Sequence, residues 1–146
     1  MNAAYCDTSV VVAYYVPEDH SSTAERLLES VDRRMISALV LTEASAAFRR
    51  KVHDKVLSRS NAQAALADFR QDVATGIFSI IDIERRHYDH AASQVWATKE
   101  RLRTLDAVHL AVAELDGLTM LTADEVLAKA AKELGVTSLW AGSPKG

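Results

Sequence analysis

Four carboxylates stand where they could act together: Asp7 in Tyr5-Cys6-Asp7-Thr8-Ser9, Glu43 in Leu41-Thr42-Glu43, Asp106 in Leu105-Asp106-Ala107-Val108-His109-Leu110-Ala111, and Asp124 in Leu121-Thr122-Ala123-Asp124. Each lies where an apolar run closes or an amphipathic run opens, which is where a strand ends or a helix begins. Acids drawn into one place repel one another unless cations neutralise them. Hard oxygen ligands with room for water suit Mg²⁺ or Mn²⁺. The substrate of such a site is itself anionic, and phosphodiester hydrolysis fits, because metal ions activate water, bind non-bridging oxygens and stabilise the leaving oxygen.

The elements that must position these acids follow from patterning. The run from Met1 to Cys6 reads as a buried strand closing on Asp7, so that Asp7 sits at the carboxyl end of a central strand, the edge where open α/β sheets bind ligands. Val10 to Val16 carries adjacent valines that favour strand, yet its place after Asp7-Thr8-Ser9 suits a helix, which Pro17 stops. A helix is expected from about Ser22 to Ser30, a short strand at Met35-Ile36-Ser37, and a helical hairpin over Val40 to Lys55 and Ser60 to Ala74. The β-branched run Ile77 to Ile81 is a strand. Helices follow over Glu84 to Ala97 and Thr104 to Leu115, the latter burying Leu105, Val108, Val112 and Leu115. Leu118 to Leu121 is a fourth strand, Glu125 to Leu134 a helix, and Val136 to Trp140 an edge strand. Strands alternating with helices predict an α/β fold of three layers, α/β/α, around a mostly parallel sheet of about five strands.

Composition bounds the reading further. A chain of 146 residues fits one domain, taken as 1–141 with a short tail over 142–146. Hydrophobic residues make up 49% and charged residues 25%, and no apolar run is long enough to span a bilayer. The N-terminus lacks a basic n-region, so a cytoplasmic protein without membrane contact is expected. Cys6, the only cysteine, excludes an internal disulfide and a cysteine zinc cage. A net charge of -3 neither demands nor forbids a nucleic-acid partner.

Each candidate has a plainer reading beside the functional one. Asp7 could simply end a strand, and Asp106 could simply favour a helix N-terminus, worth roughly 0.3 to 1 kcal/mol. The occurrence of all four acids together argues for the metal site. His109, three residues after Asp106, reads as a packed helical histidine, and His20, His53, His87 and His90 as surface residues. Cys6 points away from the crevice by strand alternation. Thr8 and Ser9 lack a matched base for nucleophilic catalysis. Arg49-Arg50-Lys51 and Lys99-Arg101-Arg103 read either as solvated faces or as RNA contacts; Arg101 and Arg103 lead into the Asp106 helix and could reach a phosphate chain. Trp96 and Trp140 read as core or interface anchors.

Taken in order, the four acidic stretches resemble the signatures of the PIN domain, and the whole chain resembles the VapC-type toxins of bacterial and archaeal toxin–antitoxin modules. The resemblance implies a parallel sheet with helices on both faces and an endoribonuclease using Mg²⁺ or Mn²⁺. Asp7, Glu43 and Asp106 match its regular acids, Asp124 its more variable fourth, and Ser9 the hydroxyl that hydrogen-bonds within the cluster. It further implies a homodimer and a cognate VapB-like antitoxin whose C-terminal segment covers the groove beside the helical hairpin. Two alternatives remain: a non-catalytic PIN-type RNA- or protein-binding module, and a haloacid-dehalogenase-type phosphatase, whose second Asp would fall where this chain has Ser9.

Overall fold

A computed structural model describes residues 1–142. Its elements are β1 (Ala3–Cys6), α1 (Thr8–Tyr15), α2 (Ser21–Glu29), β2 (Arg33–Ser37), α3 (Ala38–His53), α4 (Arg59–Ala74), β3 (Phe78–Ile81), α5 (Arg85–Ala97), α6 (Thr104–Leu115), β4 (Thr119–Thr122), α7 (Glu125–Glu133) and β5 (Ser138–Trp140). From residue 143 onward the expected tail lies outside the described residues. Among those described, no helix is long and apolar enough to cross a membrane.

The five strands form one sheet in the order β3-β2-β1-β4-β5, and every pairing is parallel. Strand alternation divides the core in two. Ala4 and Cys6 of β1, with Leu121 of β4, face one side, where they meet the buried residues of α1 to α4. Tyr5 and Met120 face the other side and pack with α5, α6 and α7. Burial pushes the Cys6 thiol well above its ordinary range, as befits a core residue rather than a nucleophile.

Chain order explains where a site can form. From β1 the chain moves outward to β2 and β3, then returns past β1 to β4 and β5. The connections therefore diverge at the carboxyl ends of β1 and β4, which leaves a crevice there.

Local chemistry starts the helices. The Asp7 side chain accepts from Val10 N at 3.0 Å and so caps α1; the three valines are buried there, and burial outweighs their preference for strand. Ser58 caps α4 by accepting from Asn61 N. Helix α6 ends at Gly117, whose φ of 67° is left-handed, with Leu118 N donating to Ala113 O and Gly117 N to Glu114 O. Lys55 performs the same service after α3 at φ 59°, with Val56 N donating to Lys51 O. No glycine marks that stop.

Several expectations need correction. Leu105 and Leu115 are 43% and 38% exposed, because α6 buries its middle, Ala107 to Ala113, rather than a single stripe. His87 is buried, not superficial: its Nδ1 accepts from Glu84 N at 2.9 Å and its Nε2 lies 3.2 Å from Asp116. Trp96 is 91% exposed and is no part of the core, while Trp140 is half-buried and donates to Ala123 O. The edge strand begins at Ser138, later than expected.

Phe69 of α4 is buried against Phe78 at a centroid separation of 5.7 Å and Tyr15 at 5.4 Å, joining α1, α4 and β3. Phe69→Ala is expected to lower unfolding free energy by about 3 to 5 kcal/mol, measured by urea denaturation; a loss under about 1 kcal/mol would show that this side of the core repacks freely.

Candidate active site

Asp7 emerges from β1 with its amide donating to Leu121 O at 3.1 Å, so that it extends the pairing of β1 with β4. It is almost fully buried. Oδ1 accepts from Val10 N and from Ser9 Oγ at 2.7 Å, and Oδ2 accepts from Thr122 Oγ1 at 2.5 Å. Ser9 Oγ in turn accepts from Ala123 N at 2.8 Å, and Thr122 Oγ1 from Asp124 N at 3.0 Å. The ends of β1 and β4 are thus knitted together through one carboxylate.

The other acids arrive from three directions. Glu43 lies on α3, and its Oε1 accepts from Thr8 Oγ1 at 2.7 Å and His109 Nε2 at 2.5 Å. Asp106 occupies the first turn of α6, and Asp124 caps α7 by accepting from Leu127 N at 2.9 Å. Arg103 joins these two: Nε donates to Asp106 Oδ2 at 3.1 Å and Nη2 approaches Asp124 Oδ2 at 3.4 Å. All four acids, with Ser9, Thr8, His109 and Arg103, line one cleft of about 700 Å³. Arg50 and Lys51 of α3 line it too, with Lys51 paired to Glu18 at 2.5 Å. Arg101 is exposed and is not among the lining residues.

The electrostatics of the cleft are strained. Burial pushes the Asp7 carboxyl above the ordinary carboxylate range, opposed only in part by the His109 ring, the Thr122 and Ser9 hydroxyls and the Val10 amide. Asp106 is also pushed up, first by burial and then by the neighbouring charge of Asp124, against the pull of Arg103. Glu43 moves the other way: burial would raise it, but His109, Thr8 and Arg103 hold it below its usual value.

These donors fit a hard divalent cation. They are carboxylate oxygens in an open cleft, and Mg²⁺ is held through one or two carboxylates while it keeps several waters. Among the described residues no three His, Cys, Asp or Glu side chains are gathered into a ready-made cage, the arrangement such a water-rich ion does not require.

Sequence reasoning did not find Thr122, Tyr5 or Ser37, nor the bond from Thr8 to Glu43. His109 is packed, as expected, but it is also bonded to a cleft acid. The available signals were the hydroxyl beside Asp7 and the histidine one turn after Asp106; neither reveals its partner.

Comparison with known proteins agrees with this geometry. The PIN domain family matches residues 4–133. Ribonuclease VapC46 of Mycobacterium tuberculosis (strain ATCC 25618 / H37Rv) is 31% identical over 139 residues, covering 93% of this chain and 95% of that protein. Among solved structures, Mycobacterium tuberculosis VapC20, a toxin that cleaves the sarcin-ricin loop, superposes with a TM-score of 0.69 at 21% identity, over 87% of this chain and 94% of that one. FitAcB from Neisseria gonorrhoeae superposes with a TM-score of 0.68 at 17% identity, over 94% of this chain and 97% of that one. The family match replaces the phosphatase reading. With four acids gathered where the sheet's connections diverge and a family match across most of its length, the chain belongs to the PIN-domain family, among the VapC ribonucleases.

Proposed function

We propose that the protein is a Mg²⁺- or Mn²⁺-dependent endoribonuclease that acts in the cytoplasm as the toxin of a type II toxin–antitoxin module, as a homodimer restrained by a VapB-like antitoxin. The observation that carries the reading is the cleft itself, where Asp7 and Asp106 are both held above their ordinary proton affinity by burial, with Glu43 and Asp124 beside them. The VapC46 likeness supports RNA as the substrate, and the toxin–antitoxin complexes among the structural relatives support an antitoxin.

In this reading the carboxylates of Asp7, Glu43, Asp106 and Asp124 would surround the cation, one or two binding it directly and the others through its waters, and the cation would supply Lewis-acid stabilisation of the charge that builds on phosphoryl oxygens. Ser9 and Thr122 keep Asp7 in one orientation through their hydrogen bonds to its two oxygens. Arg103 offsets the charge of Asp106 and Asp124, and its side chain is 77% exposed, so it can turn to a phosphate at the mouth of the cleft. Arg50 and Lys51 line the same cleft, and with Lys51 held to Glu18 it is Arg50 that can meet the RNA backbone. Arg101 serves strand outside the cleft.

Asp7→Asn and Asp106→Asn are each expected to reduce Mg²⁺-dependent cleavage of total cellular RNA by more than about 100-fold, beyond the roughly 10- to 100-fold lost with an outer partner of a metal ligand. EDTA is expected to abolish cleavage by the unaltered protein. Full activity of either variant, folded by circular dichroism, would sink the assignment.

Arg103→Ala is expected to weaken RNA binding and to lower the slope of log affinity against log salt by about 1, with Arg101→Ala having the smaller effect. Titration of RNA binding at several salt concentrations reads both; the reverse ranking would move the phosphate path away from Arg103.

Asp7 also makes stability depend on pH. Its folded-state proton affinity exceeds that of the unfolded chain, so its contribution favours folding at acid pH and is lost as pH rises through the elevated folded value. Asn is neutral throughout. Metal-free Asp7→Asn is therefore expected to be more stable than the unaltered protein at neutral pH, with the gap closing as pH falls, and Mg²⁺ stabilises only the unaltered protein. Urea unfolding across pH, with and without EDTA, gives the answer; a gap independent of pH would contradict it.

A further inference from the structure

Behind Glu43 lies a buried polar chain that the proposed reaction does not use. Ser37 Oγ is 2.9 Å from Tyr5 Oη, Tyr5 Oη is 2.6 Å from His109 Nδ1, and His109 Nε2 is 2.5 Å from Glu43 Oε1. Tyr5 and Ser37 are fully buried and His109 is 1% exposed. Ser37 precedes α3, yet its side chain makes no cap hydrogen bond to that helix; its hydroxyl is turned to Tyr5 instead.

Counting protons gives the chain a direction. A carboxylate only accepts, so His109 Nε2 must carry the proton that meets Glu43, and Nδ1 faces the Tyr5 hydroxyl, which can serve as donor or acceptor with Ser37 as its second partner. Both ring nitrogens are thereby engaged, and the ring is buried with its centroid 5.7 Å from that of Tyr5, so it cannot turn without breaking both bonds. Thr8 adds a second donor to the same oxygen of Glu43. Among the described residues, Oε2 of Glu43 enters no hydrogen bond.

We infer that His109, backed by Tyr5 and Ser37, is a positioning residue that grips Glu43 by Oε1 and keeps Oε2 for the divalent cation of the cleft. The inference rests on the metal-dependent reading above. An outer hydrogen bond of this kind fixes the orientation of a ligating carboxylate and strengthens its hold on the ion. Ordinary satisfaction of a buried histidine would place no demand on Glu43.

The test measures Mn²⁺ binding by electron paramagnetic resonance with the unaltered protein and with His109→Leu, His109→Gln and Tyr5→Phe. His109→Leu is expected to weaken Mn²⁺ binding by about 10- to 100-fold. His109→Gln, whose amide can still donate to Glu43, recovers most of that loss, and Tyr5→Phe loses several-fold. RNA cleavage by His109→Leu returns as Mn²⁺ is raised, which a general packing defect would not allow. Nitrogen NMR of the unaltered protein is expected to show the Nε2–H tautomer of His109; the Nδ1–H tautomer would overturn the inference. Unchanged Mn²⁺ affinity in folded His109→Leu overturns the inference while leaving the nuclease reading intact. If that variant does not fold, unchanged affinity in Tyr5→Phe overturns it. Absence of Mn²⁺ binding by the unaltered protein defeats the metal reading and this inference together.

Discussion

The structure depends on one buried carboxylate. Burying an ionised acid is costly unless donors surround it, and Asp7 finds its donors in two different parts of the chain. Val10 N and Ser9 belong to the first turn of α1, and Thr122 ends β4. The bonds that make Asp7 tolerable also start α1 and lock the end of β1 to that of β4. A group needed for chemistry has been made part of the frame, and the remaining strain is what a divalent cation would relieve.

The parallel sheet turns that local arrangement into a cleft. Because the chain leaves β1 in one direction and returns to β4 on the other side, no connection covers the carboxyl ends of these two strands. Helices α3, α6 and α7 begin around the opening and bring Glu43, Asp106 and Asp124 to its walls. The first turns of α6 and α7 also present their positive ends there, which favours acids at just these places. Arg103 adds a positive charge that offsets two of these acids, Asp106 and Asp124.

The two sides of the sheet carry different duties. The side covered by α1 to α4 is almost wholly apolar and carries stability through residues such as Phe48 and Phe69. The side covered by α5 to α7 is apolar around α6 but also carries Tyr5 and His109 beneath Glu43. That polar seam lies where the core meets the cleft, so substitutions there can separate folding from function.

Most of the element order was legible in the sequence, as was the gathering of the four acids and Ser9 at one cleft, because strand ends and helix starts have local causes: a period, a cap, a proline or glycine stop, all acting within a few residues. Where local signals were missing, reading fell short; Lys55 ends a helix without a glycine, and the buried His87 finds its polar partner in Asp116, 29 residues away. The partners inside the site lay further out of reach. Tyr5 meets Ser37 across 32 residues and His109 across 104, and Thr122 reaches Asp7 across 115. Amino-acid types and spacing determined that strands would end in acids and that the acids would share one edge of a sheet. Only the tertiary structure decided which hydroxyl and which imidazole each acid meets, because those contacts depend on strand register and helix packing, properties of the whole fold.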